Sequence, residues 1–249
     1  MPGRLDGRVA AVSGAAVGLG RAAAIRLASE GAIVEVLDLK DASETVKAIT
    51  GAGGKAHSIQ CDCTDEAHVD RAAKEIASRH GRIDILVNNA GILTGRKPWH
   101  TLTKEEVNRY VQVNYIGYFV VTKAMYPLIQ KSKTPRIIMV ASRTYFLANP
   151  GQMSYVASKG AVMGMTRVLA KELGDEGVTV NAVMPGMVAT PGTMEHSQEE
   201  AFNRVMNNQA IKRRVQPEHL AGLIAFLASD DAELITGQMI ICDGGGYLH

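Results

Sequence analysis

Tyr155 and Lys159 lie four residues apart in the stretch Tyr155-Val156-Ala157-Ser158-Lys159, and Ser142 precedes the tyrosine by thirteen residues. In a helix over 154–173, positions i and i+4 share one face with Cβ atoms about 5–6 Å apart, which sets an ammonium beside a phenol. A phenol with an ordinary pKa of about 10 is a poor base at neutral pH. A fixed cation nearby favours the phenolate and lowers that pKa. A phenol tuned in this way can exchange a proton with an alcohol or a carbonyl oxygen. Tyr and Lys at helical spacing also occur on ordinary solvated faces, so the pair takes its meaning from what accompanies it.

What accompanies it is the run Ser13-Gly14-Ala15-Ala16-Val17-Gly18-Leu19-Gly20, which follows a strand candidate and opens a helical pattern. Gly14 can make a tight turn, Gly18 lets the backbone approach a ligand, and Gly20 lets the helix pack closely on a sheet. Val17 and Leu19 belong to the same cofactor-binding loop. The free N–H groups and dipole of the following helix suit a pyrophosphate. Asp38 closes the second strand about twenty residues on, where a carboxylate accepts hydrogen bonds from both adenosine ribose hydroxyls and repels a 2′-phosphate. Leu39 follows it, and no Arg or Lys occurs in the loop before Arg21, so NAD is expected over NADP; Lys40 is the one residue that argues the other way.

These groups need a scaffold, and apolar segments rich in Val and Ile recur at 8–13, 33–38, 55–61, 83–88, 136–142, 178–184 and 238–242. Between them, 3.6-residue periodicity predicts helices over 21–29, 67–79, 104–130, 154–173 and 217–227. Such alternation builds an α/β fold, doubly wound, with a seven-stranded parallel sheet and helices on both faces. No repeat or linker divides the chain, so residues 1–249 read as one dinucleotide-binding domain. The stretch 185–215 lacks a strand and is expected to supply a substrate lid, at about 187–215, with a short helix near 199–207.

Composition agrees with that reading. Hydrophobic residues make up 46% of the 249 and aromatics only 5%, a balance suited to Val/Ile strands under Ala-rich helices. The net charge is +2, and the only basic cluster is Lys212-Arg213-Arg214, which excludes a broad nucleic-acid surface. Arg4, Asp6 and Arg8 leave no apolar run for a signal peptide, and Lys123 interrupts the most apolar helix candidate, so no membrane span and a cytoplasmic location are expected. Cys61, Cys63 and Cys242 are odd in number and lack metal-site spacing; they read as reduced thiols, and no metal is expected.

Taken in order, these motifs resemble the short-chain dehydrogenase/reductase family along essentially the whole chain. The likeness is carried by the glycine loop 13–20, Asp62 after the third strand, Asn88-Asn89-Ala90-Gly91, Asn114, Ser142, Tyr155 with Lys159, Asn181, and Pro185-Gly186 followed by Thr190. Ser13 stands where Thr is commoner, and the hydroxyl is kept. The resemblance implies a Rossmann-type fold and hydride transfer between a nicotinamide dinucleotide and a CH–OH group. By it, Tyr155 is the general acid/base, Ser142 holds the substrate oxygen, and Lys159 both lowers the Tyr155 pKa and grips the nicotinamide ribose. Asn114 is expected to interrupt its helix and anchor a water that relays protons from Lys159. Asn89, Ala90 and Gly91 should line the adenine and ribose side, with Asp62 and the Cys63 backbone near the adenine. Pro185, Gly186, Val188 and Thr190 should shape the nicotinamide end.

Substrate contacts are expected from Ser142, Thr144, Leu93 and Met187, in a pocket that reads as apolar from Tyr145, Phe146, Thr94, Met194 and Met206 nearby. Arg143 and His196 are the residues at odds with that reading. The segment from Ala228 to His249 resembles family members that oxidise secondary alcohols, including aryl-alkyl carbinols, which makes a small-molecule alcohol or ketone the expected partner. The runner-up is a 3-oxoacyl-[acyl-carrier-protein] reductase, which would want a basic docking face and usually NADPH. Sugar or polyol dehydrogenases come third, and a non-catalytic dinucleotide sensor would be expected to have lost part of the catalytic set present here. The helices at 104–130 and 154–173 resemble the family's four-helix dimer interface and the tail its second contact, implying a homotetramer.

Overall fold

A computed structural model describes residues 3–93 and 95–248; Thr94 and His249 lie outside the described residues. Seven strands, β1 (Val9–Ser13), β2 (Ile33–Asp38), β3 (Lys55–Gln60), β4 (Ile85–Asn88), β5 (Arg136–Val140), β6 (Thr179–Pro185) and β7 (Met239–Cys242), form one sheet in the order β3-β2-β1-β4-β5-β6-β7. Every pairing is parallel, with Ala11 between Glu35 and Leu86 at its centre. The helices are α1 (Gly18–Ser29), α2 (Ser43–Gly51), α3 (Glu66–His80), α4 (Lys104–Val111), α5 (Gly117–Ile129), α6 (Thr144–Leu147), α7 (Met153–Glu172), α8 (Pro191–His196), α9 (Glu199–Asn208) and α10 (Pro217–Ala228).

Parallel strands that are covered on both faces read as continuous apolar runs, and β1, β4 and β5 are buried at every position. One face of the sheet packs Val69, Ala72 and Ile76 of α3 with Val121 and Met125 of α5 and Val162 of α7. The other packs Ala23, Ala24 and Leu27 of α1 with Ile224 and Leu227 of α10. The chain reverses its direction of winding between β1 and β4, and at such a switch point a crevice opens beyond the carboxyl ends of the strands.

The helical pattern over 104–130 divides at Asn114, where the resemblance implies an interruption: α4 and α5 are joined by a π-helical turn at Gln112–Ile116. Asn114 is the physical reason: its Oδ1 accepts from the Ile92 amide at 2.8 Å and its Nδ2 donates to the Ile92 carbonyl at 3.1 Å. The side chain thus pairs like a strand residue, and the wider turn delivers it there. Periodicity also passed over α2, which buries little besides Thr45 and Ile49, and the short α6 and α8. Between β6 and α10 the chain carries α8, α9 and one parallel bridge, Val188 to Val215.

Candidate active site

The glycine loop is shaped by what side chains would strike. Gly14 has φ +64°, and a Cβ there would stand 2.6 Å from Ala90 Cα. At Gly20 a Cβ would lie 2.2 Å from the Gly14 carbonyl oxygen and 2.4 Å from Asn89 Nδ2, so only glycine brings α1 this close to the sheet. Val17 at the start of α1 supplies no capping side chain, and the first turn holds no acid. Uncapped N–H groups at the start of a twelve-residue helix fit a dinucleotide's pyrophosphate.

Neighbouring strands brace this loop. Ser13 Oγ accepts from the amides of Asn89 at 2.9 Å and Ala90 at 3.1 Å, and Asn89 Nδ2 donates to the carbonyls of Ser13 at 3.0 Å and Gly14 at 2.9 Å. The serine hydroxyl at position 13 is therefore a tie between β1 and the turn after β4. Asp38 closes the same corner: its Oδ2 accepts from Ala16 N at 2.8 Å and its Oδ1 from Lys40 N at 2.9 Å. Both oxygens keep further lone pairs, so the carboxylate fits a pair of ribose hydroxyls. Leu39 is largely exposed beside it. Asp62 Oδ1 accepts from the Thr64 amide and hydroxyl at 2.9 and 2.8 Å, which fixes the turn leading into the buried Cys63.

The crevice at the strand ends encloses about 870 Å³. Leu19, Asn89, Gly91, Leu93, Ser142, Thr144, Tyr155, Lys159, Pro185, Gly186, Met187, Val188 and Thr190 all line it. Gly14, Val17, Gly18, Gly20, Asp38, Leu39, Asp62, Cys63, Ala90 and Asn114 do not; apart from Asn114, they belong to the glycine-loop end of the sheet or the turn after β3. Asn114 sits behind the cleft wall, where its Nδ2 also donates to Ser158 Oγ at 3.0 Å, one residue before Lys159.

Ser142 and Tyr155 line the cleft together, close enough for the serine hydroxyl to act on the phenol. Thr144 supports this pair, its hydroxyl donating to Ser142 Oγ at 2.9 Å and its amide at 3.3 Å. The electrostatics depart from the sequence reading. Burial raises the Tyr155 pKa above its ordinary value, the Ser142 hydroxyl opposes the rise, and the nearby Tyr110, whose ring stands edge-on at 6.4 Å, adds to it. Lys159 is expected to lower that pKa, but its Nζ turns to the Val140 carbonyl at 2.7 Å and the Tyr118 hydroxyl at 3.2 Å. Burial pushes Lys159 itself down to about 7, so at neutral pH its charge is only partial. Tyr118 is the residue that sequence reading missed; it is fully buried on α5, with Lys159 Nζ 5.1 Å from its ring centre. Its spacing of four from Asn114 is the one hint in the sequence.

This lysine makes stability depend on pH. Between about 7 and 10.5 the folded, cofactor-free protein binds fewer protons than the unfolded chain, so wild type gains stability as pH rises through that window. Lys159→Met lacks this gain. Denaturant midpoints measured from pH 7 upward should diverge between the two proteins, and parallel curves would show that Lys159 titrates normally.

The cleft is less apolar than expected. Arg96, Asn149, Gln152, His196, Gln198 and Arg204 line its outer part. Of the three methionines only Met187 reaches it, and Met194 is exposed. Tyr145 packs over Gly160, and Phe146 stacks on Tyr247 with ring centres 5.1 Å apart. Arg143, by contrast, is neutralised by Asp243 at 2.6 Å, both buried. Helix geometry explains the miss: the residues after Ser142 enter α6, where successive side chains radiate in different directions.

Comparison with known proteins places this geometry. A family model described as enoyl-(acyl carrier protein) reductase matches residues 14–247. The chain is 38% identical to the 3-oxoacyl-[acyl-carrier-protein] reductase of Thermotoga maritima, over 97% of this chain and 98% of that protein. It is 35% identical to the cyclopentanol dehydrogenase of Comamonas testosteroni, over 98% of each chain. Among solved structures, a 7α-hydroxysteroid dehydrogenase complexed with NADH and 7-oxoglycochenodeoxycholic acid superposes with a TM-score of 0.93 at 32% identity, covering 99% of this chain and 96% of that one. No helix among the described residues is long and apolar enough to cross a membrane. On the sheet order, the glycine corner and these relatives together, the chain belongs to the short-chain dehydrogenase/reductase family of oxidoreductases acting on CH–OH and ketone groups.

Proposed function

We propose that this protein interconverts a secondary alcohol and a ketone with NAD(H). The observation that carries the reading is the convergence of Ser142, Tyr155 and Lys159 on one cleft that also takes in Leu19 of the glycine loop. Asp38, held by two backbone amides at the ribose corner, supports NAD over NADP. The bound nicotinamide supplies the hydride donor or acceptor.

The roles follow from position. Ser142 Oγ, oriented by Thr144, donates to the substrate oxygen and holds it against the phenol. Tyr155, its pKa raised by burial, keeps its proton at rest and is suited to deliver it to a ketone oxygen. In the oxidative direction the phenol must first release its proton, and the phenolate oxygen then accepts the hydroxyl proton. Lys159 is assigned to grip the nicotinamide ribose hydroxyls, and its Nζ lies within reach of Gly91. Asn114 fixes the Ile92 backbone and Ser158 around that lysine and is assigned to anchor the water linking it to solvent. Pro185, Gly186, Val188 and Thr190 form the wall at the nicotinamide end. The segment 187–215, with α8 and α9, is assigned as the lid of a single domain, and its His196 and Arg204 face the substrate end.

Leu93, Leu147 and Met187 near Ser142 favour an apolar carbinol substituent, with the polar outer lining accepting a second, polar end. Arg96 and Arg204 in that lining, with the 38% identity to the Thermotoga protein, favour a second reading as a 3-oxoacyl-thioester reductase. One experiment separates the two: purified protein assayed with NAD(H) and NADP(H) in parallel, against 1-phenylethanol, 2-alkanols, cyclohexanol, polyols and acetoacetyl thioesters. Turnover of apolar carbinols with NAD⁺ supports the first reading, and activity confined to NADPH with thioesters supports the second. The assembly is proposed to be a homotetramer, and a monomer mass in solution would contradict it.

A further inference from the structure

Far from the cleft face, on the outer half of the sheet, three side chains from three elements converge. Glu35 stands in the middle of β2 and is fully buried. His57 on β3 brings its Nδ1 to 3.0 Å from Glu35 Oε1, and His80, the last residue of α3, brings its Nε2 to 2.7 Å from the same oxygen. These three atoms all lie within 4.8 Å of one another, the sole such group among the described residues. The other carboxylate oxygen, Oε2, is held by Arg79 Nη1 at 2.7 Å. Arg79 also pairs with Glu75, one turn earlier on α3.

We propose that Glu35, His57 and His80 form a binding site for a divalent transition metal of the zinc type, remote from the active site and separate from the alcohol–ketone chemistry. Two imidazole nitrogens and one carboxylate oxygen are a common three-ligand set for Zn²⁺, with a water completing a tetrahedron. Such a set needs its ligand atoms near each other before the ion arrives, and here the fold has assembled them. The ligating oxygen is turned toward the histidines because Arg79 occupies its twin, an arrangement that fixes a one-oxygen carboxylate ligand. Charge suits a cation as well: the carboxylates of Glu35 and Glu75 against the one guanidinium of Arg79 leave a net negative charge at the site. His57 is half-exposed, which gives the ion a route from solvent and leaves a position for water. By this arrangement a bound ion ties β2 to β3 and to the carboxyl end of α3.

The test uses tag-free, chelator-stripped protein titrated with Zn²⁺ alone, with melting temperature and calorimetry as readouts, and with Co²⁺ as a spectroscopic probe. The expected result is one saturable ion per chain and a melting temperature raised by about 5–10 °C at a hundredfold excess over Kd. Co²⁺ should show visible d–d absorption without the near-ultraviolet thiolate band that Cys61 or Cys63 would give. Because Glu35 is buried, Glu35→Gln risks misfolding, so the decisive variants are His57→Ala at the surface and, separately, His80→Ala. Each is expected to weaken binding at least tenfold while its metal-free circular dichroism matches wild type. Three outcomes overturn the proposal: no saturable binding at millimolar metal, unchanged affinity in both histidine variants, or a Co²⁺ spectrum dominated by thiolate. None of these readouts involves hydride transfer, so failure here leaves the alcohol–ketone assignment standing, and the converse holds too.

Discussion

Tyr155→Phe is expected to lower turnover at least a hundredfold while NADH still binds. The substitution removes one oxygen from a partly buried ring that packs against Tyr110 and takes nothing from the glycine corner. What is lost is the proposed proton donor, and general acid–base groups of this kind are worth about 10²–10⁴ in rate. A hundredfold loss corresponds to about 2.7 kcal/mol of transition-state stabilisation. NADH affinity followed by fluorescence and turnover followed by absorbance separate the two effects. Turnover unchanged in the variant would remove Tyr155 from the chemistry. Because burial raises the Tyr155 pKa, wild-type reduction should keep its proton donor at neutral pH, and the fall in reduction rate should come on the alkaline side.

Asp38→Ala carries the second large effect. In wild type the carboxylate is fixed by Ala16 N and Lys40 N and closes the corner where an adenosine ribose would meet β2. In the proposed NAD site, removing it would delete the carboxylate's charge-assisted hydrogen bonds to the ribose, each worth about 1.5–3 kcal/mol, and the repulsion of a 2′-phosphate. The expected result is at least a tenfold loss of NADH affinity with NADPH affinity unchanged or improved. Asp38→Asn serves as the control, since its one carbonyl oxygen can still accept from Ala16 N and preserve the loop. An equal loss for both dinucleotides in Asp38→Ala, absent in Asp38→Asn, would mean that the aspartate only braces the glycine loop.

The parts of this protein that the sequence determines are those with a local physical cause. Strand positions are legible because a parallel strand covered on both faces needs an uninterrupted apolar run, as at Ile85–Asn88 and Arg136–Val140. The glycine loop is legible because positive φ and close approach admit no side chain at Gly14 and Gly20. The pairing of Tyr155 with Lys159 is legible because helix geometry converts a separation of four into a shared face.

Tertiary packing decided the rest. Proximity at i and i+4 does not say where an ammonium points, and Lys159 answers to the Val140 carbonyl and to Tyr118, forty-one residues away in the chain. Nor does a charge-based rule foresee that desolvation raises Tyr155 and lowers Lys159, because desolvation depends on neighbours from α5, β5 and α7 together. The π turn at Gln112–Ile116 likewise arises from Asn114 pairing with Ile92, a contact invisible to periodicity. The polar outer lining of the cleft includes Arg96 and Arg204, which only the packed sheet and the helices after β6 bring to one cavity. Glu35, His57 and His80 are scattered through forty-five residues and meet solely because β2 pairs with β3 and α3 ends beside them. Local conformation is written in adjacent residues, whereas electrostatic environment and ligand sets depend on which distant elements share a surface, and that is fixed only when the chain has packed.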